Sequence, residues 1–179
     1  LRGGPEKYTA NGAFKAPGER RAEFQARVEA NDNVYRLNVD AVELAVGELS
    51  WRGSVQNLTL DVERGIEFER ILMGNGPQRL KATGVWQFSG PDDIEADLEN
   101  FDLAVLGILY PDQALDLEGG VDLHFEFRGD LDREPTIVAE GTLTDARLWD
   151  IAPVNAAYLI GFDEGILEAD AQVDLGGRG

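Results

Sequence analysis

An all-β, mostly antiparallel fold is what this sequence predicts, and three observations predict it. From Leu115 to Arg128 every odd position except Gly119 is apolar and every even one is charged, His or Gly, the period-2 pattern of a strand with one buried and one solvated face. The same alternation returns along nearly the whole chain, broken by turn residues at spacings of roughly 10 to 15 residues, which gives about a dozen strands. No stretch carries an amphipathic helix of three or more turns, so βαβ architectures are not expected.

Taken in order, Tyr8, Ala10, Gly12 and Phe14 alternate with polar residues, and beyond a turn at Ala16-Pro17-Gly18-Glu19 the even register returns in Ala22, Phe24, Ala26, Val28 and Ala30. Two strands and a tight reversal fit this. After Asn31-Asp32-Asn33 come Tyr35, Leu37, Val39 and Ala41, then a phase shift to Val42, Leu44 and Val46, the mark of a β-bulge. Leu49 and Trp51, then Val55, Leu58, Leu60 and Val62, and then Ile66, Phe68 and Leu72 lead into the turn Gly74-Asn75-Gly76-Pro77. Leu80, Ala82, Gly84, Trp86 and Phe88 follow; after Gly90-Pro91-Asp92-Asp93 come Ile94, Ala96 and Leu98, with a slip before Phe101 and Leu103.

The continuous apolar run Leu103 to Tyr110, stopped by Pro111, suits a short helix with Asp102 as N-cap; a buried strand is the competing assignment. The long strand to Arg128 is followed by a turn from Gly129 to Pro135, then by Ile137, Ala139, Gly141 and Leu143, slipping to Ala146 and Leu148. Val154, Ala156, Tyr158 and Ile160, the turn Gly161 to Gly165, and Leu167, Ala169, Ala171, Val173 and Leu175 complete the pattern.

At 179 residues and 43% hydrophobic content the chain can bury a core, and one folded unit over residues 1–179 is expected. It begins at Leu1 and ends on Gly176-Gly177-Arg178-Gly179, and reads as a piece of a longer protein. Thirty-four acidic against sixteen basic residues give a formal charge of −18, which argues against a nucleic-acid partner. That charge solvates the polar strand faces and opposes edge association. Cys is absent, which removes disulfides and thiol chemistry, and no apolar run reaches the roughly 18 residues of a membrane span.

The unit Gly119 to Leu131, followed by Pro135 and Glu140-Gly141-Thr142-Leu143, resembles a recurring phrase of the TamB family in the AsmA-like group of envelope proteins. There a strand ends in apolar-x-Gly, a short turn carries Pro, and the next strand begins Gly-x-Leu. Leu98 to Pro111 and Leu80-Lys81-Ala82-Thr83-Gly84 look similar to that family too, and the resemblance is best from about Leu80 to Gly177. It implies a curled, incompletely closed sheet, a β-taco, with an apolar concave face and one short helix near 103–110. It also implies a periplasmic place in a diderm bacterium, with the full-length protein anchored in the inner membrane.

The function the resemblance implies is non-enzymatic: a conduit for phospholipid acyl chains between membranes. A role in outer-membrane protein assembly with a barrel protein is implied as well. Groove lining is expected from Phe24, Val28, Leu37, Val39, Leu60, Trp86, Phe88, Leu98, Val121, Leu123, Phe125, Phe127, Ile137, Leu143, Leu167 and Val173. Few large aromatics are expected inside. Open edge strands would pair with adjacent segments of the same chain. The alternative is a β-sandwich or solenoid module for adhesion or carbohydrate binding, with a filled core and ligands on loops or exposed Trp.

No residue pattern points to catalysis, a cofactor or a metal. His124 is the lone histidine and is expected on the solvated strand face, exposed and unemployed. Asp130, Asp132 and Glu134 have the spacing of a calcium loop without its glycine and distal Glu, so a polar turn is expected. Asp92 with Asp93 and Asp163 with Glu164 are carboxylate pairs of the kind an acidic chain yields by chance. Gly74-Asn75-Gly76 is turn chemistry, and Asn57-Leu58-Thr59 matches a glycosylation acceptor that a bacterial origin would leave silent. Trp86 belongs to the apolar register, whereas Trp51 and Trp149 fall near phase slips.

Overall fold

The computed structural model describes residues 6–16, 20–46, 49–109, 117–130, 133, 135–148 and 153–174. Strands β1 (Glu6–Ala16), β2 (Arg20–Asn31), β3 (Val34–Val46), β4 (Leu49–Asp61), β5 (Gly65–Asn75), β6 (Gln78–Gln87) and β7 (Asp92–Asp102) lead to helix α1 (Ala104–Leu109). Strands β8 (Leu117–Gly129), β9 (Thr136–Leu148), β10 (Val154–Asp163) and β11 (Ile166–Asp174) follow. All eleven form one sheet in chain order, each antiparallel to its neighbours, and the sheet is not closed, so β1 and β11 are its edges.

Turn chemistry explains the meander. Glu164 and Gly165 both have positive φ, 47° and 77°, the two-residue reversal whose twist matches flanking strands. β10 therefore runs on through Gly161 and Phe162 to Asp163, two residues past the start of the expected turn. Likewise β7 begins inside the expected Gly90 to Asp93 turn, where the buried Asp92 carboxylate accepts the Gln87 N–H at 2.6 Å. The short helix is present: Asp102 Oδ1 accepts the Ala104 N–H at 2.9 Å as its N-cap, and Leu103 N–H donates to the Gly119 carbonyl at 2.9 Å. Tyr110, Pro111, Leu115, Asp132, Glu134, Trp149 and Leu175 lie outside the described residues.

Each phase slip in the sequence is a register shift in the sheet. The break at Leu98 to Phe101 carries Asn100 at φ 51°, that at Leu143 to Ala146 carries Asp145 at φ 48°, and that at Val55 to Leu58 carries Asn57 at φ 48°. One device recurs at all three. The bulged N–H donates to an Asn or Asp side chain on the adjacent strand: Asn57 to Asn38 Oδ1 at 3.0 Å, Asn100 to Asp122 Oδ1 at 2.7 Å, and Asp145 to Asn155 Oδ1 at 2.8 Å. Gly119, the lone break in the alternation of β8, has φ 103° and sits at a further shift. Bulges bend strands and add twist.

The result is a curled single layer. Rings of Trp51 on β4 and Phe101 on β7 approach to 6.0 Å between centroids, although three strand spacings on a flat sheet amount to roughly 14 Å. One cavity of about 530 Å³ is lined from every strand between β1 and β7 and by Val105 of α1. No large side chain among the described residues is fully buried. The chain exposes 12418 Å², about one and a half times what a compact monomer of this mass exposes.

Candidate functional site

Residues directly opposite each other in antiparallel pairs point to the same side of a sheet, so the register traces rungs across the whole molecule. One rung runs Tyr8, Val28, Leu37, Leu58, Phe68, Gly84, Ile94, Phe127, Ile137, Phe162, Leu167. The next runs Ala10, Ala26, Val39, Val55, Ile71, Ala82, Ala96, Phe125, Ala139, Ile160, Ala169, and the third Gly12, Phe24, Val42, Gly53, Met73, Leu80, Leu98, Leu123, Gly141, Tyr158, Ala171. Each takes one residue from every strand, and none contains a charge.

The middle rung is the floor of a trough. Its residues are mostly alanine and β-branched, with Phe125 rising between Ala96 and Ala139, while bulkier side chains stand on both flanks. Partial rungs extend the face: Ala30, Tyr35, Leu60, Ile66 and Trp86 at one end, and Phe101, Val121, Leu143, Ala156 and Val173 at the end that carries α1.

All the expected groove residues that lie in strands fall on this one face: Phe24, Val28, Leu37, Val39, Leu60, Trp86, Leu98, Val121, Leu123, Phe125, Phe127, Ile137, Leu143, Leu167 and Val173. Phe88 lies just past β6, exposed, its ring 6.4 Å from Trp86 and edge-on to it. The expectation of few aromatics does not hold: Phe14, Phe24, Phe68, Phe101, Phe125, Phe127, Trp51 and Trp86 share the apolar register. A curled single sheet has no facing layer to pack against, so bulk accumulates along its inner face. Many of these groups stay in water, Phe14 at 65% and Leu167 at 69% exposure.

The opposite face is ionic. Lys7 pairs with Glu29, Arg27 with Asp40 and Arg147 with Glu118, and Glu43 takes both Arg21 and Arg52. His124 is not idle there. Its Nδ1 lies 2.7 Å from Asp97 and its Nε2 3.2 Å from Glu126, in a chain that runs from Lys81 through Asp97, His124 and Glu126 to Arg128. The hydrogen bond to Asp97, then that to Glu126, holds the imidazole above its ordinary pKa, and Asp97 is held below the usual carboxylate value first by His124. Cross-strand register brings these residues together, and single-strand pattern could not reveal it. Glu95 adds a ligand atom within 4.8 Å of those of Asp97 and His124, but the flanking Lys81 already offsets the carboxylate charge.

Fold and surface together define a class: an open, single-layer antiparallel sheet with a continuous apolar concave face and an ion-paired back. No protein-family model, curated protein or solved structure matches the chain.

Proposed function

We propose that the trough holds phospholipid acyl chains and passes them along the rungs, without catalysis, between the inner and outer membranes of a diderm bacterium. One observation carries this reading: three charge-free rungs cross all eleven strands with no second layer over them. A contiguous exposed apolar surface of that extent marks an interaction site. Burying an acyl chain contributes about 0.8 kcal/mol per methylene, which needs cover but no polar specificity, and the headgroup stays in water at the open side. Every position along the three rungs is uncharged, so a chain moving along them exchanges one apolar contact for another.

In this reading the protein is a TamB-like segment in the periplasm, joined through its edge strands to adjacent segments of a longer, inner-membrane-anchored chain. An outer-membrane barrel protein is its proposed partner, with outer-membrane protein assembly a second role. The test is native mass spectrometry with lipid extraction on the purified protein, beside a variant carrying Leu123→Asp and Phe125→Asp whose fold is checked by circular dichroism. Copurified phospholipid that the folded variant has lost is the expected result. Absence of lipid from both, or equal lipid on both, would contradict it.

A further inference from the structure

The apolar register contains one cation among the described residues, Arg20. In β2 it shares its face with Ala22, Phe24 and Ala26, and it lines the cavity formed by Phe14, Leu44, Trp51, Met73, Leu98 and Val105. At about 530 Å³ this cavity lies in the range of small-ligand clefts, roughly 300–1,000 Å³. The neighbouring Arg21 points to the ionic face and donates to Glu43 at 2.9 Å, so its charge is already met. Among the described residues, none forms an ion pair or a side-chain hydrogen bond with the Arg20 guanidinium. The other charges in the same register are remote or occupied: Glu6 at the opposite end of β1 accepts from Tyr8, and Asp92 is bound to the Gln87 N–H.

We infer that this α1-capped end of the trough is a subsite for an acyl lipid with an anionic headgroup, the chain in the cavity and the carboxylate or phosphate on Arg20. The inference rests on the groove reading and refines it by headgroup charge. An arginine supplies a planar pair of donors suited to either anion, and an aliphatic stem of its length covers apolar surface while the charged head reaches water. An exposed cation with no carboxylate partner among the described residues, in a chain of net charge −18, leaves that position for an external anion.

Trp51 is a reporter inside the cavity. With Trp86 and Trp149 replaced by phenylalanine, quenching of Trp51 fluorescence by dibromostearate is compared with quenching by its neutral methyl ester, both below their aggregation limits. The acid is expected to bind about tenfold more tightly than the ester, Arg20→Gln to equalise the two, and Arg20→Lys to restore most of the preference. A brominated lysophosphatidylglycerol arm, read against stearate, separates a phosphate from a carboxylate ligand. Equal quenching by acid and ester in the unmodified Arg20 protein would overturn the headgroup site while leaving the groove standing. No quenching by either would overturn both.

Discussion

At the residue scale the alternation of apolar and polar side chains made the two faces legible, but charge pairing across strands was hidden. His124 shows the difference. Its even position in β8 places it on the polar face, as the pattern requires, yet Asp97 and Lys81 reach it only because the register sets Lys81 opposite Asp97 and Asp97 opposite His124. Arg20 was legible in principle, a cation in phase with Ala22 and Phe24, because the same period-2 count that assigns the strand also assigns its face. The electrostatics predict a pH signature. Because the folded His124 pKa is raised, its stabilisation is complete below the unfolded value of about 6.5 and is lost as pH rises through the elevated folded value. Asp97 is the reverse: its folded pKa is lowered, so its contribution is present above the unfolded value of about 3.9 and is lost as pH falls through the depressed one. The melting temperature of the wild type should therefore exceed that of His124→Gln most near pH 5.5, with the gap narrowing toward about pH 9. A gap that is constant over that range would contradict the coupling.

At the element scale the bulges set where the strands bend. The slips at Ala41/Val42, Leu98/Phe101 and Leu143/Ala146 mark where they occur, because an extra residue shifts the alternation by one. What closes the last two was not legible: the accepting side chains Asp122 and Asn155 lie on neighbouring strands, and nothing local in the sequence selects them. Gly119 tests the bulge in β8. A Cβ there would meet the Ala146 Cα and the Thr144 and Asp145 carbonyl oxygens, each at 2.7 Å, on a backbone with φ 103°. Gly119→Ala should cost about 1–3 kcal/mol. Gly161→Ala in β10, where a Cβ meets nothing within 4 Å, should change stability by less than about 0.5 kcal/mol. Urea denaturation of the two variants checks the contrast, and equal losses would mean that the β8 bulge is not tightly constrained.

At the scale of the whole molecule the sequence predicted the class of fold, since eleven one-sided strands in a meander have few ways to bury an apolar face. It did not predict how densely aromatic that face would be. An open curl leaves the inner side chains partly in water, so they need not interdigitate with a second layer and volume is not limited as it is in a sandwich core. Trp51 and Phe101 meet across three strand spacings because the sheet bends, and the ring contact in turn supports the bend. The ionic back, with its pairs distributed over β1 to β9, keeps the convex side hydrated while the rungs stay free for a ligand. In the proposed function lipid sits on the rungs and not on the ionic face. The most direct measurement is photo-crosslinking with benzoylphenylalanine placed singly at Leu58, Phe125 or Glu140, in protein exposed to radiolabelled phospholipid. Leu58 and Phe125 stand on the apolar rungs and Glu140 lies opposite His124 on the ionic face. Lipid adducts at Leu58 and Phe125 with none at Glu140 are predicted, whereas equal labelling at all three, or labelling at Glu140 alone, would contradict the account.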